Sequence, residues 1–171
     1  PAVYRGNPFV IEAGIAFGGN IPSDSPAHVM RFANRVPLQY QKGACAITEA
    51  ITDMSWKAYG LAQPRGSLPV GPMAVLVHMA SAWVPFTSES KEAIAHYPEI
   101  LSEIKLALQS CGRKMGTHIR AARRQAEEAR KRRYIEKYLP HIGIALGDML
   151  DLPQKERDNI NARLKRMFEE E

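Results

Sequence analysis

The spacing of apolar positions changes along the 171-residue chain, and each change predicts an element. From Pro8 to Phe17 the β-branched and aromatic content is that of a strand, ended by the turn-forming run Gly18-Gly19-Asn20. A second, antiparallel strand is predicted over His28–Val36, where Val29 and Phe32 are apolar and Pro37 closes the run. Between Ala44 and Met54, Ala46, Ile47, Ala50, Ile51 and Met54 recur at helical spacing. This predicts a short amphipathic helix that ends near Trp56 and covers one sheet face. Six glycines and prolines between Gly60 and Pro72 break any regular period and predict a long mobile loop.

Residues 73 to 84 form a nearly unbroken apolar run, the pattern of a strand at a sheet centre, closed by Pro85. Residues 86 to 98 return to loop chemistry. From Pro98, with Glu99 in the first turn, Leu101, Ile104, Leu108, Cys111, Met115 and Ile119 recur every three or four positions. That stripe marks a helix with one buried face. It stops at Ile119, yet helix-forming residues continue to Lys137, so the helix is predicted to run on without a core to cover. Pro140 and Pro153 are predicted to divide the remainder into two short helices. Ile142, Leu146 and Met149 line one and Ile160, Leu164 and Met167 the other, and such faces imply docking.

Composition adds where the charge lies. With 45% apolar and 24% charged residues, the chain has the makeup of a globular domain with a tail, and its net charge of +5 is unevenly distributed. Arg113, Lys114, Arg120, Arg123, Arg124, Arg130, Lys131, Arg132 and Arg133 stand against only Glu127 and Glu128 in one segment. A solvated helix face and a phosphate-binding face account for that run equally well. Cys45 and Cys111 lack partners at metal-ligand spacing, which favours buried thiols in a reducing compartment and leaves a disulfide between them open. No run approaches the roughly 18 apolar residues of a membrane span, and no signal-peptide layout precedes the first strand, so a cytoplasmic location is expected. The chain begins at Pro1 without a Met, and further sequence upstream is expected.

Signatures of a self-contained enzyme are missing: there is no Gly-Lys-Ser phosphate loop, G-x-G-x-x-G, H-E-x-x-H or G-x-S-x-G. The five histidines are scattered and carry no metal pattern. Two local features remain. In Trp56-Lys57-Ala58-Tyr59 core packing, favoured for the indole, competes with stacking or phosphate contact by Lys57 and Tyr59. In the hydroxyl-rich loop Thr87–Ala93, Lys91 is either a solvated lysine or a point charge for a nucleotide phosphate.

Four ordered blocks then give a resemblance: FVIEAGIAFGG at 9–19, RFANRVPL at 31–38, WKAYG at 56–60 and the stretch Val84–Ala95. Together they resemble the transducer region of the topoisomerase VI B subunit over about residues 7 to 120, and Tyr134–Leu150 resembles the tail of the same protein. The resemblance implies an α/β (α+β) GHKL-type transducer with about four strands in a mixed sheet backed by helices. It divides the chain into a transducer domain at 1–120, a basic stalk helix at 121–139 and short C-terminal helices at 140–171 that dock the topoisomerase VI A subunit. It further implies that Lys91 is the switch lysine that reaches the γ-phosphate of ATP, held with Mg²⁺ in an adjoining ATPase domain. Hydrolysis would then turn the transducer against that domain, and the stalk would carry the motion to the DNA-cleaving A subunit.

The same resemblance marks Trp56, Lys57 and Tyr59 as a DNA-contacting element; in the basic run Arg120, Arg123 and Arg124 are candidate DNA-facing residues, with DNA attraction secondary to the stalk role of the helix. Double-stranded DNA and a second B subunit are implied partners, no membrane is, and the fragment alone is not expected to be catalytic. Arg31, Asn34 and Arg35 are read as a structural polar network. The rival is an interaction module that tethers an A-like nuclease without using ATP, and the presence of Lys91 weighs against it. A ribosome-associated or RNA-binding protein sharing the fold rests on fold analogy and basicity alone.

Overall fold

The computed structural model describes residues 1–169, in which strands β1 (Ala2–Tyr4), β2 (Asn7–Phe17), β3 (His28–Ala33) and β4 (Val36–Pro37) precede helix α1 (Ala46–Asp53). Strand β5 (Met73–Ser81), helix α2 (Pro98–Met149) and helix α3 (Gln154–Glu169) follow. Two compact units are present: residues 1–120, which hold the sheet, and the residues from Ala121 onward.

The five strands lie in the order β1-β2-β5-β3-β4. Strand β5 is central, as its apolar run predicts. It pairs antiparallel with β2 from Phe9↔Ser81 to Phe17↔Met73 and parallel with β3 from His28↔Ala74 to Ala33↔Met79. The predicted antiparallel relation of the first two long strands therefore holds for direction but not for pairing, because β5 is inserted between them. A parallel β3–β5 pair needs a long crossover, and the segment containing α1 supplies it. The sheet has five strands rather than about four because two short edge strands complete hairpins. Their turns, Arg5-Gly6 and Asn34-Arg35, both take left-handed backbone at the two central positions (φ 46° and 80°, and 46° and 69°). Such turns match the right-handed twist of paired strands.

Burial alternates along β5. Met73, Val75, Val77 and Met79 are buried, whereas Ala74, Leu76, His78 and Ala80 are only half-buried. The buried set joins Ile47 and Ile51 of α1, Trp56, and Ile100, Ile104 and Leu108 of α2 in one core, so the helices back a single sheet face. Truncating a core residue such as Ile104 to Ala is expected to cost about 2–5 kcal/mol through lost burial and the cavity left behind. The strand ends at Ser81, three residues before the end of the apolar run, and Trp83 emerges to solvent.

The segment 60–72 is irregular, as predicted, but tied down rather than free. Val70 bridges both Pro26 and Ala62, Ala27 donates to the Pro69 carbonyl at 2.8 Å, and Leu61 and Pro69 are buried. Both cysteines are free; the Cys111 thiol donates to the Ala13 carbonyl at 3.3 Å.

Helix α2 is a single 52-residue helix, and the break expected at Pro140 does not occur. Proline lacks the N–H that would bond the carbonyl four residues back, but at this exposed position water can satisfy that carbonyl. From Ala121 to Tyr138 every residue is exposed, in keeping with the apolar stripe that ends at Ile119. In the second unit α2 stops at a turn with Asp151 in left-handed backbone (φ 49°), and α3 then lies against it. Gly143 and Gly147 make the approach possible, since a Cβ at either would collide with Asn161 or Arg157. Arg157 locks the turn by donating to the Leu152 carbonyl at 2.7 Å and to Asp148 at 2.5 Å.

Candidate functional site

Lys91 sits at the tip of a loop with a fixed base. Ala95 donates to the Pro85 carbonyl (2.8 Å) and Thr87 to the Ala93 carbonyl (2.9 Å), Phe86 bridges Ile94, and the side chains of Ala93 and Ile94 are wholly buried. At the tip the Lys91 N–H closes a turn onto the Ser88 carbonyl at 3.1 Å, and the Ser88 and Ser90 hydroxyls meet at 2.7 Å. Lys91 itself adopts left-handed backbone (φ 54°), an uncommon state for a side chain with a Cβ. Its ammonium is exposed and makes no ion pair with the described residues. A cation held out on a pinned loop can meet an anion on a neighbouring body with little loss of chain entropy.

The Trp56–Tyr59 element divides its labour. Trp56 is completely buried, its indole N–H donating to the Ile51 carbonyl at 2.7 Å and its backbone N–H to Gln63 Oε1 at 3.0 Å. It offers no surface for stacking on DNA, which corrects the expectation for that side chain: its size makes it the plug beneath α1. Tyr59 is half-buried, edge-on to Trp56 (ring centroids 6.1 Å apart, planes at 65°). Its ring fills a notch in α2 where a Cβ on Gly112 would come within 2.9 Å of Tyr59 and one on Gly116 within 3.3 Å. The Lys57 side chain is exposed to solvent.

Arg120, Arg123 and Arg124 are exposed on α2 at helical spacing, and Arg120 also reaches the Thr117 hydroxyl at 3.4 Å. Arg120 closes the first unit, whereas Arg123 and Arg124 belong to the second. Trp56, Lys57 and Tyr59 thus form one cluster at the end of α1, and Lys91 projects from a loop that docks on the opposite end of that helix.

The polar run 31–35 is a set of backbone clamps. Arg31, a buried residue, donates through Nη2 to the carbonyls of Leu38 (2.7 Å) and Tyr40 (2.8 Å). Asn34 pairs with both backbone groups of Ser81, and the Arg35 N–H donates to His78 Nε2 at 3.0 Å. Because Nε2 accepts, Nδ1 carries the proton and donates to Glu12 at 2.7 Å. Sequence reasoning missed two features near the site. One is the Gly112/Gly116 seat of Tyr59, signalled only by two glycines four apart in a helix-forming stretch. The other is His96, which bonds Ala44 and Glu49 across more than forty residues of sequence and left no local signal. Among the described residues no cluster fit to hold a metal ion is found.

A mixed sheet backed on one face by helices, with a lysine-tipped loop and a long helix continuing from the core, defines a transducer-type α/β domain. The chain belongs to the family described as "Topoisomerase VI B subunit, transducer", which residues 1–132 match. It is similar to proteins named as the B subunit of type 2 DNA topoisomerase 6: 47% identical over 151 residues to that of Methanosarcina acetivorans, covering 88% of this chain and 24% of the relative. The corresponding protein of Archaeoglobus fulgidus is 43% identical over 164 residues, covering 96% of this chain and 27% of the relative. That of Halobacterium salinarum is 59% identical over 106 residues, covering 61% and 13%. The chain spans about a quarter of the length of the first two of these relatives.

Proposed function

We propose that this chain is the part of a type II DNA topoisomerase B subunit that couples ATP turnover in an adjoining GHKL ATPase domain to double-strand cleavage and duplex passage by the A subunit. The observation that carries the reading is Lys91: exposed, unpaired among the described residues, and fixed by a turn on a loop whose base is buried. An ammonium so placed fits a terminal phosphate held on a neighbouring body. ATP, bound with Mg²⁺ by the adjoining domain, would supply that phosphate and remove it on hydrolysis. Lys91 holds the loop to the nucleotide until then, and the loop base transmits its release to α1.

Lys57 and Tyr59 at the far end of α1, with Arg120, Arg123 and Arg124 on α2, are the proposed contacts to duplex DNA. In the second unit Tyr134, Ile135, Tyr138, Ile142 and Met149 are exposed apolar residues. The A subunit is their proposed partner, with a second B subunit completing the assembly. Among the described residues no helix is long and apolar enough to cross a membrane; a cytoplasmic site of action accords with DNA as substrate.

The test is Lys91→Ala in the full-length B subunit in complex with the A subunit. Loss of ATP-dependent relaxation of supercoiled DNA is expected. Unaltered hydrolysis and relaxation would remove the sensing role and favour the rival in which the chain only tethers an A-like nuclease.

A further inference from the structure

The loop that carries Lys91 and the Trp56–Tyr59 element meet opposite ends of the same short helix. At the first turn of α1 the Ala46 N–H donates to the Ile94 carbonyl at 2.9 Å, so the returning arm of the loop satisfies one of the helix's free donors. His96, two residues further along that arm, bonds the Ala44 carbonyl through Nε2 at 2.8 Å and the Glu49 carboxylate through Nδ1. At the other end the Ile51 carbonyl receives the Trp56 indole N–H. The Gln63 amide ties the Thr52 carbonyl (3.0 Å) to the Trp56 N–H (3.0 Å). The eight residues of α1 span about 12 Å, with Ala46, Ile47, Ala50 and Ile51 wholly buried. A buried element that short moves as one piece.

We propose that His96 is a positioning residue: its two-sided bond to Ala44 and Glu49 latches the Lys91 loop to α1, so that displacement of the loop is delivered to Trp56 and thence to Lys57 and Tyr59. This rests on the sensing role of Lys91. The two ring nitrogens of the imidazole face two acceptors, the Ala44 carbonyl and the Glu49 carboxylate, so one side chain spans from the loop to both. The link is part-exposed and ties the returning arm of the Lys91 loop to the first turn of α1. Without it the loop keeps its backbone bond to Ala46, and the side-chain link that fixes its angle to α1 is gone.

The experiment uses the full-length B subunit in complex with the A subunit. It reads the ratio of DNA-stimulated to basal ATP hydrolysis, with thermal denaturation of each variant as a control. His96→Ala and Glu49→Ala are each expected to lower the ratio about fivefold or more. The double variant is expected to lower it no further, because both remove the same bond. Glu49→Gln, whose amide oxygen still accepts from Nδ1–H, should retain part of the ratio. A ratio equal to wild type in His96→Ala, additive effects in the double variant, or a fall that merely tracks melting temperature would each overturn the latch. Lys91→Ala in parallel separates the two readings: if it changes neither turnover nor relaxation, both fall, and if it abolishes relaxation while His96→Ala behaves as wild type, only the latch falls.

Discussion

Asn34 Nδ2 donates to the Ser81 carbonyl at 2.9 Å and Asn34 Oδ1 accepts the Ser81 N–H at 3.0 Å, so one side chain completes both backbone groups at the end of β5. The residue also holds left-handed backbone, which Asn tolerates better than most. Asn34→Ala is expected to cost about 0.5–1.5 kcal/mol, read as a lower chemical denaturation midpoint, and an unchanged midpoint would refute the clamp. Tyr4 tests burial differently. Its ring packs against Tyr97 with centroids 4.3 Å apart and planes tilted at 35°, its hydroxyl has no hydrogen-bond partner among the described residues, and burial pushes its pKa up to about 12. A folded pKa raised above the ordinary 10 gives a stability contribution that is complete below pH 10 and lost as pH rises towards 12. Tyr4→Phe should therefore flatten the loss of stability over that alkaline window while leaving stability at neutral pH equal or higher. That Arg31, Asn34 and Arg35 are structural was readable in their polarity; that Asn34 clamps the end of β5 and Arg31 the carbonyls of Leu38 and Tyr40 was not, since backbone partners leave no pattern in sequence.

Among the elements, α2 was legible from its start to Lys137 and misread only beyond it. Ile104, Leu108, Met115 and Ile119 recur at helical spacing because one face meets the sheet, and burial follows that stripe. At Pro140 local propensity predicted a break, whereas the helix continues to Met149 and α3 packs on the glycines beyond it. Tertiary contact outweighs propensity there. The strand order was hidden for a similar reason: alternation marks a strand and its buried face, but not which neighbour it pairs with. Gly112 provides the element-scale test. In an open helix Gly→Ala gains about 1 kcal/mol, but here the new Cβ would stand 2.9 Å from the Tyr59 ring. Gly112→Ala is expected to forfeit that gain, displace Tyr59, and weaken DNA stimulation of ATP hydrolysis; a more stable protein with full stimulation would show that the notch does not seat Tyr59.

For the whole molecule, the candidate DNA surface was visible in sequence as residue types, but burial decides which of them can act. Trp56 is enclosed and Lys57 is exposed, though they are adjacent in sequence. The two must therefore fail in different ways. Trp56→Ala empties a core site and is expected to cost about 3–5 kcal/mol, so DNA affinity falls only as the folded fraction falls and the salt dependence of the remaining binding is unchanged. Lys57→Ala leaves the core intact. If its ammonium meets a phosphate, removing it releases one fewer counterion, and the slope of log affinity against log salt becomes shallower by about 0.9. Titrating duplex DNA against the assembled enzyme at several salt concentrations distinguishes these outcomes. An unchanged slope in Lys57→Ala, with melting temperature preserved, would move the DNA contact off this element and onto the α2 arginines, where Arg120→Ala, Arg123→Ala and Arg124→Ala would each be expected to reduce the slope instead.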